Sequence, residues 1–461
     1  MSHFAPESLE RATGGRWIGR PAAAAITGFS ADSRQLRAGE MFVALKTERR
    51  DGHAFLAAAA SAGAAAALVA VPDASVSLPQ LAVADPLAGL QAIAREHRRA
   101  FRGPVIGITG SAGKTSTKNL LALLLDESRI LATEGNLNNH LGVPLTLTRL
   151  DSAIHRAAVV EAGIAAPGEM APLAAMIEPE IAIVTLVAPA HLAQLGSVEG
   201  VAREKAMLVA AVRPGGRAIF PHSCLQFAPF RSPRANTTVV QRAGENPFAA
   251  VTTVIFALEH RGDMTVLTLK DGPTTGETFI LRRITDGMAQ NAALAICAAR
   301  HLGVESGAIR ERLARWEPAR LRGEIRREGG RLLYLDCYNA NPVAMADALA
   351  AFVAVAPPGL PRLFVLGGME DLGPDSARFH RELGRGIALG PDDFLCVIGD
   401  EADQVRAGAR ERGTSERQIA VARSLQAVAA RVAGFDGAVF IKGSRRWQLE
   451  KVVAEMAGTA H

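Results

Sequence analysis

Paired cysteines, tyrosines, basic stripes and long charge-free apolar runs are all scarce in this 461-residue chain. Its four cysteines, Cys224, Cys297, Cys337 and Cys396, lie far apart in sequence. That spacing offers neither a disulfide framework nor a zinc site and fits a reducing compartment. Aromatic residues make up 5%, and Tyr334 and Tyr338 are the only tyrosines. With 51 Lys and Arg scattered among 46 Asp and Glu, the chain lacks the aromatic-lined basic groove of a nucleic-acid binder. The net charge of +5 is modest and suits an anionic substrate. One uncharged run, AFLAAAASAGAAAALVAV (residues 54–71), is long enough to raise a membrane span. It is mostly alanine, broken by Ser61 and Gly63, and reads as a helix, a glycine stop and a buried strand. The N-terminal stretch MSHFAPESLERATGG carries acids and no apolar core, unlike a signal peptide. A cytoplasmic protein without a membrane span is expected.

What is present is globular: 49% hydrophobic and 21% charged residues, over a length that calls for several domains. Residues 1–100 hold short strand-like runs, EMFVAL and AALVAV, and end in the helical stretch LAGLQAIAREHRRAF before Gly103-Pro104. From there to residue 315, apolar runs alternate with helical patterns. PVIGIT precedes TSTKNLLALLLDE, RAAVVEAG precedes EMAPLAAMI, and EIAIVTLV precedes SVEGVAREKAMLVAAV. This alternation predicts a mainly parallel sheet covered by helices. A polar, more strand-like interval, about 236–284, interrupts it before the helix GMAQNAALAICAARHLG. Over 316–461 the strands RLLYLDCY, PRLFVLGG, DFLCVIGD and GAVFIKGS alternate with helices starting near Pro342, Ser376, Ala402, Leu425 and Arg446. The expected fold is α/β with three domains: a small mixed α/β domain (1–100), a central parallel-sheet domain of P-loop type (101–315) and a Rossmann-like doubly wound domain (316–461). In doubly wound sheets ligands sit beyond the C-terminal strand ends, which here read CYNANP, GGMED, GDEA and KGSRR.

The stretch GITGSAGKTSTKN (residues 107–119) carries the chemistry. A strand runs into Gly110, Ser111, Ala112, Gly113, Lys114, Thr115 and Ser116 and then into a helix. Glycines let backbone N–H groups turn toward a phosphate, and the helix N-terminus adds partial positive charge. Lys114 can reach the terminal phosphates and the Thr115 hydroxyl can hold Mg²⁺. The spacing, TGxxGKT, is shorter than that of the commonest phosphate loop.

This loop form is the one found in Mur ligases and folylpolyglutamate synthetases, and the whole chain resembles the Mur ligases. FSADSRQLRAGEMFVALKTERRDGHAF (residues 29–55) is similar to the family's uridine-nucleotide domain. GNLNNHLGVPLTLTRL (135–150), LDCYNANPVAM (335–345), LGGMEDLG (366–373) and IKGSRRWQLEKVV (441–453) are similar to members that act on D-alanyl-D-alanine. The DNPR pattern of the preceding tripeptide-forming members is absent. The resemblance implies ATP-driven amide formation: the tripeptide carboxylate of a UDP-N-acetylmuramoyl-tripeptide is phosphorylated, and the amine of D-alanyl-D-alanine attacks the acyl phosphate. It implies ATP and two Mg²⁺ ions, with Thr115, Glu161, His191 and Lys205 at the metals, Lys205 as a carbamylation site, and Lys114, His191 and Lys205 as catalytic residues. It further implies Asn291, Arg322 and Asp336 at the nucleotide, Ser33 and Arg34 at the uridine diphosphate, and Asn339, Asn341, Lys442 and Ser444 at the substrate. A single chain acting as a monomer is expected. Outside this resemblance Glu161 reads as an ordinary strand end, His191 as structural and Lys205 as a solvated helix face. Likewise YNANP reads as a turn with Pro342 opening a helix, and ADSR as a polar turn.

The chain departs from the family pattern in four places. TLVAPAH stands where TNIGPAH is common, so Leu186 replaces asparagine and Ala188 glycine. Met288 stands for a histidine, His140 for an acid, and Leu335 for the first of two aspartates. These changes leave room for a Mur-type ligase with another amine substrate, or for a nucleotide-binding regulator with little turnover.

Overall fold

The computed structural model describes residues 4–19, 26–233, 236–245, 251–272, 276–328 and 330–453. The outer ends of the first and third expected domains, 1–3 and 454–461, lie outside the described residues. Among the described residues three sheets form, one per segment. The first has five strands in the order Arg16–Ile18, Gln80–Ala82, Ala66–Val69, Glu40–Val43 and Gly28–Ser30, all parallel except the first pair. The alanine-rich run resolves as the reading of its glycine predicts. A helix Leu56–Ser61 stops before Gly63 (φ 87°), and the buried strand Ala66–Val69 follows. Among the described residues no helix is long and apolar enough to cross a membrane.

The central sheet has nine strands. From one edge they run Ile130–Ala132, Ala157–Glu161, Val105–Thr109, Ile181–Val184, Arg217–Pro221, Thr237–Arg242 and Thr252–Arg261 in parallel. Met264–Asp271 and Glu277–Arg282 extend it antiparallel. The interval read as polar and strand-like is therefore this sheet's far half, and the sheet is mixed rather than wholly parallel. Side chains alternate across it: Val105, Val160, Val184 and Phe220 pack on one face, and Ile106, Ile108, Val159, Ile183 and Ile219 on the other. Both faces are buried, which is why these strands read as unbroken apolar runs instead of alternating ones.

The third sheet has the order Glu324–Glu328, Arg331–Asp336, Ala438–Lys442, Arg362–Gly367, Phe394–Ile398 and Ile419–Ala422, parallel except for its first pair. The last parallel strand inserts between the first two, so the chain reverses direction across the sheet there. Asp336 and Leu366 stand in register with Lys442 at that crevice. The helices Pro342–Val355, Ser376–Gly386, Ala402–Glu411 and Leu425–Ala433 begin where the sequence places them. Near Arg446 a 3₁₀ turn, Arg445–Trp447, forms where a helix start is expected.

The first two units are tied by the helix Pro86–Ala100. Its Arg98 is fully buried and donates from Nε to Ile177 O (2.8 Å) and from Nη2 to Glu178 O (2.8 Å) and Glu180 Oε2 (2.7 Å). A buried guanidinium is tolerated only with such partners.

Candidate active site

The strand Val105–Thr109 ends in a loop whose geometry requires its glycines. Gly110 has φ 155°, and a Cβ there would sit 1.8 Å from Thr185 Oγ1; Gly113 has φ 81° and would put a Cβ 2.5 Å from Asn291 Nδ2. A side chain at either position would meet both backbone strain and a neighbour. Neighbouring backbone braces the loop. Ser111 N–H donates to Leu186 O (2.8 Å), and the Ser111 hydroxyl donates to Ala188 O (2.8 Å) while accepting from Ala188 N–H (3.0 Å). Thr185 Oγ1 donates to Ala112 O. Leu186 and Ala188, two of the departures from the family pattern, thus serve the loop through main-chain atoms that any residue supplies. Met288 packs, partly buried, against the apolar cluster that lies on one face of the central sheet.

Lys114, Thr115 and Ser116 open the helix Lys114–Leu124, so their N–H groups lie at the positive end of its dipole. Lys114 Nζ donates to Gly110 O (2.7 Å), and burial lowers its pKa, opposed by Glu161. Glu161 ends the next strand with no exposed surface, and its Oε1 accepts from Thr115 Oγ1 at 2.7 Å. Its own N–H is held by Thr133 Oγ1 (2.9 Å). A hydroxyl and a carboxylate paired at a phosphate loop form a hard-oxygen donor set of the kind Mg²⁺ takes. No cluster of three or more His, Cys, Asp or Glu side chains able to hold a metal occurs among the described residues.

His191 adopts φ 53° just before the short helix Leu192–Leu195. Its Nδ1 lies 3.1 Å from Asp371 Oδ2, and burial lowers its pKa against the pull of that carboxylate. Lys205 is the least expected placement for a lysine on a helix: 3% exposed, with no hydrogen bond or ion pair from Nζ among the described residues. Burial, with Lys114 adding to it, holds its pKa well below the ordinary lysine value. The adjacent Glu204 is occupied elsewhere, accepting from Gly168 N–H (2.7 Å) and Met170 N–H (3.2 Å). Burial thus favours the neutral form of the Lys205 amine over its charged form.

The third sheet reaches this loop directly. Arg322 donates to Thr115 Oγ1 (3.1 Å) and its guanidinium stacks 3.9 Å from the Tyr338 ring centroid. Asn341 donates to Ser111 O (3.1 Å) and caps the helix Pro342–Val355 by accepting from Ala344 N–H (2.9 Å). Asp347 accepts from Gly287 N–H (3.1 Å), at the start of the helix that carries Asn291. Lys442 is 2% exposed; it bonds Asp336 Oδ2 (2.7 Å) and Asn339 O (3.1 Å) and so pins the YNANP turn. Burial raises the Asp336 pKa, and Lys442 opposes the shift. Ser444 is buried, its hydroxyl accepting from Glu370 N–H (3.1 Å), while Asn339 is exposed.

Most residues singled out in the sequence thus gather around one loop. Ser33 and Arg34 lie instead in the turn after the strand Gly28–Ser30 of the first sheet, where Arg34 is exposed and paired with Asp32 (2.7 Å); the His140 backbone carbonyl accepts from Gln91. Sequence reasoning missed Lys118, Tyr338, Asp347 and Asp371. Lys118 is buried and donates to Thr133 O (2.6 Å), and its i+4 spacing from Lys114 was the one available signal.

Known proteins resemble this chain in sequence and fold. Residues 108–299 match the family described as Mur ligase middle domain, and residues 321–445 the one described as Mur ligase, glutamate ligase domain. The UDP-N-acetylmuramoyl-tripeptide–D-alanyl-D-alanine ligase of Escherichia coli strain K12 is 32% identical over 430 residues, covering 92% of each chain. A crystal structure of MurF from Acinetobacter baumannii superposes with a TM-score of 0.86 at 27% identity over 99% of each chain. The MurF ligase from Thermotoga maritima in complex with ADP gives 0.79 at 27% identity, over 94% of this chain and 98% of its own. With the phosphate loop, its buried carboxylate and near full-length similarity in agreement, the chain belongs to the Mur ligase family.

Proposed function

We propose that this chain joins D-alanyl-D-alanine to a UDP-N-acetylmuramoyl-tripeptide with hydrolysis of ATP to ADP and phosphate. The observation that carries the reading is the phosphate loop with Thr115 on Glu161, reached across a cleft by Arg322 and Asn341 of the third unit. The expected domains, 1–100, 101–315 and 316–461, divide the labour: uridine nucleotide, ATP, and ATP with the incoming dipeptide. A monomer is the proposed working unit. ATP as co-substrate and four buried free cysteines support a cytoplasmic setting.

The tripeptide carboxylate oxygen attacks the γ-phosphorus and ADP departs. The dipeptide amine then attacks the acyl carbon, and phosphate leaves with that carboxylate oxygen. The loop N–H groups of Gly113, Lys114, Thr115 and Ser116 and the Lys114 ammonium hold the transferring phosphoryl group, where charge spreads in the transition state. Arg322, braced on Tyr338, adds positive charge from the third unit. Asn291, beside Gly113, and Asp336 are assigned to the nucleotide. Ser33 and Arg34 are assigned to the uridine diphosphate, and Asn339, with the turns held by Lys442 and Ser444, to the dipeptide. Mg²⁺, held at Thr115 and Glu161 and at His191, would neutralise phosphate charge. Lys205 is assigned as the carbamylation site: burial favours its neutral form, and a neutral amine adds CO₂, releasing a proton and leaving an anion near Lys114.

Phosphate release is the test. Release that requires ATP, UDP-N-acetylmuramoyl-tripeptide and D-alanyl-D-alanine together is expected. Equal release without the dipeptide, or only with other amines, would overturn the reading.

A further inference from the structure

The loop 367–373 of the third unit and the segment Ala190–Gly196 of the central unit make a three-point clasp. Asp371 (φ 59°) places Oδ2 3.1 Å from His191 Nδ1, and its carbonyl accepts from Ala193 N–H (3.2 Å). Gly373 (φ 63°) approaches so closely that a Cβ there would lie 3.1 Å from Ala193 Cα. The loop is itself anchored: Met369 N–H donates to His380 Nε2 (2.9 Å) and Glu370 N–H to Ser444 Oγ (3.1 Å). Asp371 is thus delivered by a rigid support, although half of its side chain is exposed.

A carboxylate only accepts, so the proton between the two groups resides on His191 Nδ1, which in the neutral ring is the Nδ1–H tautomer. That leaves Nε2 with its lone pair, the form in which histidine binds a cation. We propose that Asp371 is a positioning residue, fixing His191 in the Nδ1–H tautomer only when the third unit is seated on the central one. The phosphate end of the site is then complete only in the seated arrangement. This rests on the ligase reading above, with His191 as the residue it acts through.

The test uses the full-length chain labelled with ¹⁵N-histidine, at a pH where the ring is neutral, with H191Q identifying the resonance. Wild type should show the Nδ1–H pattern. Asp371→Ala should shift it to the Nε2–H form that free histidine favours, and Asp371→Glu should restore it. In turnover, D371A should lower kcat about 10–100-fold, with the dipeptide KM within about twofold. An Nε2–H pattern in wild type, an unchanged tautomer in D371A, or an unchanged kcat would each overturn the proposal. Wild type that releases no phosphate with all three substrates refutes the ligase reading instead; normal wild-type turnover with a silent D371A refutes only the role of Asp371.

Discussion

Asn341 does two separable things, and one pair of substitutions distinguishes them. Its Oδ1 caps the helix Pro342–Val355, and its Nδ2 donates to Ser111 O in the phosphate loop. Asn341→Ala removes both. Losing the cap costs about 1 kcal/mol, so the melting transition of the third unit should fall by a few degrees, roughly 2–5 °C. Asn341→Asp keeps an acceptor for Ala344 N–H, so the cap is preserved and the third unit's own melting transition should stay near the wild-type value. It removes the donor to a buried carbonyl and sets a carboxylate against it, which costs about 1–3 kcal/mol of interdomain contact. Since about 1.4 kcal/mol is tenfold in population, kcat/KM should fall roughly 5–150-fold with the fold intact. Urea unfolding and phosphate release measure the two effects independently. An N341D chain as active as wild type, or as destabilised as N341A, would refute the division.

Three further outcomes follow from the same geometry. Gly113→Ala forces a left-handed residue against Asn291; it should lose about 1–2 kcal/mol of stability and at least tenfold in ADP affinity by calorimetry, and unchanged binding would contradict it. Lys205→Ala should cut turnover by about 100-fold or more. Native mass spectrometry of wild type in bicarbonate should show one added CO₂ that K205A lacks; its presence in K205A would move the modification elsewhere. His380 accepts from Met369 N–H and donates to Ser376 O, and burial holds its pKa below the ordinary histidine value. Its contribution to stability should be full above the unfolded-chain value of about 6.5 and be lost as pH falls through the lower folded value. H380Q should flatten that slope in pH-dependent melting, and an unchanged slope would refute it.

The fold was legible where both sheet faces are buried, because PVIGIT, EIAIVTLV and RLLYLD read as apolar runs between helical patterns. Glu324–Glu328, EIRRE, was not: an edge strand carries charge to water and loses the apolar signature. The loop announced itself by local spacing, and Glu161, His191 and Lys205 by family order. Asp347 and Asp371 gain meaning only from contacts across units, and Tyr338 from its stacking on Arg322. Asp371 meets a residue 180 positions away, which no local pattern encodes. Leu186 shows the converse. Its side chain looked like a lost polar group, yet the structure uses its backbone carbonyl.

The central claim is that Lys114 and its loop activate a carboxylate by phosphorylation. Tripeptide substrate labelled with oxygen-18 in its terminal carboxylate tests this most directly. The account predicts that each phosphate released carries one labelled oxygen, that the other stays in the new amide, and that Lys114→Ala abolishes both products. Unlabelled phosphate formed alongside ADP would mean that water, not the carboxylate, receives the phosphoryl group, and would contradict the account.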